Sequence, residues 1–165
     1  MNTIKVRDIE IGAGAPKIIV PIVGVTKEDI LNEAKTFDSI PVDVVEWRVD
    51  WFEHVFEFDK VEDVLKDLRN VLGNIPLLLT FRTKKEGGEK AIDTKDYKEL
   101  NLRAAKTGYV DFIDVEIFTG DDVVREIIDG AHAAGVKVIA SNHDFFKTPA
   151  KSDIIYRLRK MQDMG

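Results

Sequence analysis

The feature that most restricts what this chain can become is an alternation. Five times in succession a short apolar run gives way to a stretch with helical spacing, all within 165 residues. The runs occupy 17–23, 42–50, 76–82, 112–118 and 136–140, the last continuing into Ser141-Asn142-His143-Asp144. The stretches between them carry helix signals. Thr26-Lys27-Glu28-Asp29 reads as a capping box, opening a helix with Ile30, Leu31, Ala34 and Phe37 on one face. Val61, Val64, Leu65, Leu68, Val71 and Leu72 repeat at helical spacing, with Gly73 where a C-cap belongs. A third helix is predicted over 94–106, and a fourth opens at Asp121-Asp122 and stops at Gly135. The fifth should have Thr148 as N-cap and Pro149 at its first position, and carries Ile154, Ile155, Leu158, Met161 and Met164 on one stripe.

Strand–helix units in series imply a parallel sheet covered by helices. Residues 4–11, ending at Gly12-Ala13-Gly14, read as a β-hairpin ahead of the first unit. No linker or low-complexity segment interrupts the series, so residues 1–16 and 17–165 are taken as one domain: a hairpin, then about five β/α units. An open doubly wound sheet and part of a (β/α)8 barrel both fit this pattern. The phosphate loops of the doubly wound class are missing. Gly12-Ala13-Gly14 precedes its strand, and Gly87-Gly88 lacks a third glycine, so both read as turns.

Composition removes several function classes. With 44% hydrophobic and 33% charged residues the chain is neither disordered nor membrane-spanning in pattern, and a net charge of −6 disfavours nucleic acid. The absence of cysteine excludes disulfides, thiolate metal sites and cysteine nucleophiles, and favours a cytoplasmic setting. No paired-histidine spacing suggests a metal.

Side chains alternate along a strand, so residues two apart share a face. Glu46, Arg48 and Asp50 therefore fall together, as do Thr80 with Arg82, Asp114 with Glu116, and Ser141 with His143. Each set lies toward the carboxyl end of its strand. Charges inside a covered parallel sheet cost several kcal/mol unless paired or bound to ligand. A ring of Glu, Arg, Asp and His at one end of a barrel is the arrangement expected of a site. For Asp50, Asp114 and Glu116, an internal ion-pair network is the competing reading. His143, an imidazole at a strand end, is the candidate general base. His54 and His132 read as surface or structural residues.

Together these segments resemble type I 3-dehydroquinate dehydratase, the Schiff-base class. The resemblance rests on 14–20, Glu46-Trp47-Arg48-Val49-Asp50, Thr80-Phe81-Arg82 with Glu86-Gly87-Gly88-Glu89, Ile113-Asp114-Val115-Glu116, and Ser141-Asn142-His143-Asp144-Phe145. Lys147-Thr148-Pro149 and Arg159-Lys160-Met161-Gln162 extend it.

The resemblance implies a (β/α)8 TIM barrel capped by the hairpin, and dehydration of 3-dehydroquinate to 3-dehydroshikimate in the shikimate pathway. It implies a lysine imine, no metal or organic cofactor, and a homodimer at full length. His143 matches the acid/base and Glu86 the carboxylate that orients it. Glu46, Trp47, Arg48 and Arg82 form the expected substrate-binding set.

Two departures stand out. Pro21 replaces a serine of many members and removes a ladder donor from the first strand. The imine lysine would lie on a sixth strand, past Gly165. Eight units need roughly 250 residues, so this sequence is expected to be an incomplete barrel and inactive alone. Lys17, Lys137 and Lys147 are not substitutes, the first two standing at the wrong strand ends. A non-catalytic α/β assembly module and another Schiff-base barrel, such as a class I aldolase, are the alternatives.

Overall fold

The computed structural model describes residues 3–165. Strands β1 (Ile4–Val6) and β2 (Ile9–Ile11) form an antiparallel hairpin whose turn is Arg7-Asp8, with Arg7 in the left-handed region at φ 49°. Gly12-Ala13-Gly14 leads out of the hairpin. Then follow β3 (Ile19–Ile22), α1 (Lys27–Lys35), β4 (Val44–Arg48), α2 (Phe58–Leu72), β5 (Leu77–Thr80) and α3 (Thr94–Lys106). The series continues with β6 (Phe112–Glu116), α4 (Asp121–Ala133), β7 (Lys137–Ser141) and α5 (Lys151–Asp163).

The five strands β3 to β7 are parallel and lie in sequence order. A doubly wound sheet reverses its order at a switch point and carries helices on both faces. Here the order never reverses, and the helices share one face. Val45, Trp47, Leu77, Leu79, Phe81, Ile113 and Val115 pack there against Ile30, Val61, Leu65, Leu68, Leu100, Val124 and Ile127 in one buried core. The other face holds a small second core of Val44, Leu78 and Phe112, covered by Val6, Ile9 and Ile11 of the hairpin. This is the winding of a barrel, and the hairpin plugs the amino-terminal end of its inner face.

The capping box at Thr26 and Asp29 forms as the sequence predicts, and α3 spans the predicted 94–106. One expectation needs correction. Helix α5 begins at Lys151 with Ala150 as its cap residue and no side-chain cap, so Thr148 and Pro149 lie outside it. The residue before a proline favours extended backbone, which holds Thr148 out of a helical turn. The α5 stripe is also only partly covered. Met164 is buried and Met161 packs on the core, but Ile154, Ile155 and Leu158 are exposed. Among the described residues β3 pairs with β4 alone, Pro21 standing opposite Glu46.

Candidate active site

The inner face reads in layers from the hairpin upward. Above Val44, Leu78, Phe112 and Ile139 the alternation brings Glu46, Thr80, Asp114 and Ser141 to the same face. Beyond them stand Arg48, Arg82, Glu116 and His143. The apolar first layer lies under the hairpin, so the polar residues are confined to the carboxyl ends of the strands.

Arg82 is the hub. Its Nη1 donates to Glu116 Oε1 at 3.0 Å and to Ser141 Oγ at 2.9 Å, and its Nη2 lies 3.0 Å from Asp114 Oδ1. Ser141 Oγ in turn donates to Asp114 at 2.8 Å. Thr83 gives Glu116 both its backbone N–H (2.9 Å) and its hydroxyl (2.7 Å). Burial acts against the Arg82 charge, but the attraction of Asp114 and Glu116 outweighs it and raises the pKa. Asp114 goes the other way: burial pushes its carboxyl up, and Arg82 only partly offsets that. The ion-pair reading of Asp114 and Glu116 thus describes their contacts. Arg82, expected among the substrate-binding residues, has two guanidinium nitrogens engaged in the same network.

Arg48 is differently placed. The strand ends at Arg48 and a 3-10 turn over Val49–Trp51 brings Asp50 back beneath it. Asp50 is fully buried and holds Nε and Nη2 of Arg48, while Nη1 has no bond among the described residues. The hydrogen bond to Asp50 raises the Arg48 pKa. Glu46, half-buried on the same face, has no ion-pair partner among the described residues. Trp47, expected in the same binding set, belongs elsewhere. It is fully buried on the helix-facing side of β4, its ring 5.8 Å from that of Phe52, because neighbours in a strand point oppositely.

Glu86 reaches the site from the loop after β5. A short 3-10 turn, Lys84–Glu86, ends at Gly87 with φ 89°. At Gly88 a Cβ would fall 1.8 Å from the Arg82 carbonyl oxygen, so only glycine lets the loop fold back there. The fold-back carries Glu86, nearly buried, to the end of β7. Its Oε2 accepts the His143 backbone N–H at 2.8 Å and lies 3.0 Å from His143 Nδ1, and its Oε1 accepts from Asn142 Nδ2 at 2.9 Å. Strand β7 therefore stops at Ser141, two residues short of His143, because the groups that would continue it turn to Glu86 instead. The Phe145 ring stacks on the imidazole, centroids 6.2 Å apart and planes 12° apart. Beside the pair, between the connections after β5 and β6, opens a cavity of about 350 Å³ reaching Thr83, Tyr97 and Phe118.

A carboxylate can only accept, so Nδ1 of a neutral His143 carries the proton. The lone pair then sits on Nε2, which has no hydrogen-bond partner among the described residues. That is the state of a general base. His54 lies instead against Glu53, Glu57 and Lys60 on the surface. His132 lies in the last turn of α4.

Residues 18–165 match the family described as Type I 3-dehydroquinase. The chain belongs to that family. It is 54% identical over 158 residues to a 3-dehydroquinate dehydratase of Clostridium botulinum, covering 96% of this chain and 62% of that one. A 3-dehydroquinate dehydratase of Clostridioides difficile is 51% identical over 162 residues, 98% of this chain and 64% of the relative. Among solved structures, a type I 3-dehydroquinate dehydratase from Clostridium difficile with covalently modified comenic acid superposes with a TM-score of 0.97. It is 50% identical and covers 99% of this chain and 65% of that one. A 3-dehydroquinate dehydratase from Geobacillus kaustophilus gives a TM-score of 0.96 at 30% identity, covering 99% and 64%. The chain thus spans a little under two thirds of the length of these family members.

The expectations drawn from the alternation and the motifs meet here. His143 and Glu86 are in contact, Arg48 and Glu46 share the inner face with them, and Arg82 organises the acidic residues between. Sequence reasoning missed Asn142 as a partner of Glu86, although it lies inside the Ser-Asn-His-Asp motif.

Proposed function

We propose that this chain supplies the base and the substrate-binding face for dehydration of 3-dehydroquinate to 3-dehydroshikimate. The observation that carries the reading is the His143–Glu86 pair, which in the neutral imidazole places the lone pair on Nε2 at the carboxyl end of the sheet. Nε2 takes the proton beside the substrate's carbonyl carbon and returns it to the departing hydroxyl, one group serving both steps. Glu86 stabilises the imidazolium formed between them. Arg48 and Glu46 present a donor fork and an acceptor suited to a polyhydroxylated ring. The electron sink is an imine in this family. No lysine among the described residues is bonded to Glu46, Arg48, Glu86 or His143, and Lys90 is turned onto the Trp51 and Phe52 carbonyls. The family resemblance supports placing the imine lysine on a further strand, not among these 165 residues. The cysteine-free composition is what supports a cytoplasmic location, and the family resemblance is what supports a homodimer.

Titrating 3-dehydroquinate into ¹⁵N-labelled chain tests the binding half. The His143 ring and Arg48 guanidinium signals should move, and unmoved signals at millimolar substrate would overturn the reading. Borohydride with 3-dehydroquinate should leave this chain unmodified by mass. With the lysine-bearing units supplied, His143→Ala should slow dehydration by at least about a hundredfold.

A further inference from the structure

Helix α5 is held against the body by few side chains. In the ten residues from Lys151 to Lys160, only Arg157 and Lys160 are not exposed, and they lie one turn apart on one face. Lys160 pairs with Asp121 at 2.5 Å. Arg157 does something else. Its Nη1 donates to Asn142 Oδ1 at 2.6 Å, and Asn142 Nδ2 donates to Glu86 Oε1 at 2.9 Å. A side chain outside the sheet is thus joined to the carboxylate that holds His143.

The chemistry of the three groups allows one arrangement. A guanidinium only donates and a carboxylate only accepts, so an amide between them must turn its oxygen to the first and its NH2 to the second. Flipped, it would set carbonyl against carboxylate and NH2 against guanidinium. Arg157 therefore selects the Asn142 rotamer that leaves Glu86 its donor. Glu86 Oε2 is then free to face both His143 groups.

We propose that Arg157, acting through Asn142, is a positioning residue for the His143 imidazole. It fixes the carboxylate that keeps the proton on Nδ1 and the lone pair on Nε2. The functional importance rests on the reading of His143 as the base, but the geometric claim can be read without substrate.

The test is the ring ¹⁵N spectrum of His143 in the neutral state, assigned by loss of its signals in His143→Gln. The parent chain should show predominantly Nδ1–H. Arg157→Ala should shift the tautomer ratio toward Nε2–H by at least about twofold to threefold, the lower end of coupling within one hydrogen-bond network. His54 and His132 should not change. Arg157→Lys, which keeps a donor, should recover part of the ratio. Lys160→Ala loosens the same helix face without touching Asn142 and should leave the ratio alone. An unchanged ratio in Arg157→Ala, or an equal shift in Lys160→Ala, would overturn the proposal. Should Arg157→Ala fail to fold, Asn142→Leu carries the same expectation, and an unchanged ratio there overturns it equally. A failure of 3-dehydroquinate to perturb His143 would sink the dehydration reading while leaving this result intact.

Discussion

Arg48 turns Nε and Nη2 onto the two carboxylate oxygens of Asp50, at 2.8 and 2.9 Å, although the two residues are separated by a single valine. A regular strand would set such side chains side by side on one face. The 3-10 turn after β4 rotates Asp50 inward, so the acid becomes a buried clamp for the base. Asp50 also accepts the backbone N–H groups of Arg82 (3.3 Å) and Glu89 (3.1 Å), tying the loop after β5 to the end of β4.

Removing that clamp should cost more than one ion pair exposed to water. Asp50→Ala strands a part-buried guanidinium and two backbone donors, and about 3–5 kcal/mol of stability should be lost. Asp50→Asn keeps part of the donor satisfaction and should cost less. Urea unfolding of the three proteins measures this, and equal stability of Asp50→Ala and the parent would refute the clamp.

Trp47 gives the opposite expectation. Its indole Nε1–H is buried without an acceptor among the described residues, and its ring belongs to the helix-side core. Trp47→Phe removes that unpaired donor while leaving a smaller ring, two effects of opposite sign. The net loss should stay near about 1–2 kcal/mol. The shifts that 3-dehydroquinate causes at His143 and Arg48 should be the same in variant and parent. A change in those shifts, with stability preserved, would return Trp47 to the binding set.

Much of this was legible because it depends on period. Alternation placed Glu46, Arg48, Asp114 and Glu116 on one face, and strand–helix repetition made that face an interior one. What lay beyond was set by loops. The return of Asp50 through a 3-10 turn has no period to betray it. The fold-back at Gly87-Gly88 that delivers Glu86 reads in the sequence only as a turn. The stripe on α5 was legible as a stripe, but helical spacing shows that a face is apolar, not what covers it. Only Met161 and Met164 of that stripe reach the core, while Arg157 and Lys160 bond to Asn142 and Asp121.

At the other end of the sheet, Asp111 fastens the hairpin. One oxygen takes Arg7 Nε at 2.6 Å, and the other takes Arg69 Nη2 and the Leu77 backbone N–H, both at 2.8 Å. Burial lowers the Arg69 pKa despite this partner, so losing the carboxylate would leave a poorly solvated cation. Asp111→Ala should cost about 3 kcal/mol. Hydrogen exchange should rise first at Val6, Ile9 and Ile11, since the hairpin loses its anchor to the sheet. Uniform exchange across β3 to β7 with the hairpin unchanged would contradict this role.

The buried Asp114 sets a pH dependence whose sign can be fixed. Burial raises its carboxyl pKa above the ordinary value of 3.8, more than Arg82 and Ser141 lower it. A group whose folded pKa lies above its unfolded one binds its proton more tightly in the folded state. Its contribution is therefore full below the unfolded pKa and is lost as pH rises through the folded one. Asp114→Asn has no proton to lose and cannot show that decline, though above the folded pKa it lacks the charge that Asp114 carries beside Arg82. As pH rises from about 4 through the folded pKa, the melting temperature of Asp114→Asn should therefore gain on that of the parent. Thermal unfolding by circular dichroism at matched ionic strength follows the difference. A gap that moves in the parent's favour as pH rises would mean that Arg82, with Glu116 on its other side, keeps Asp114 ionised more strongly than burial protonates it.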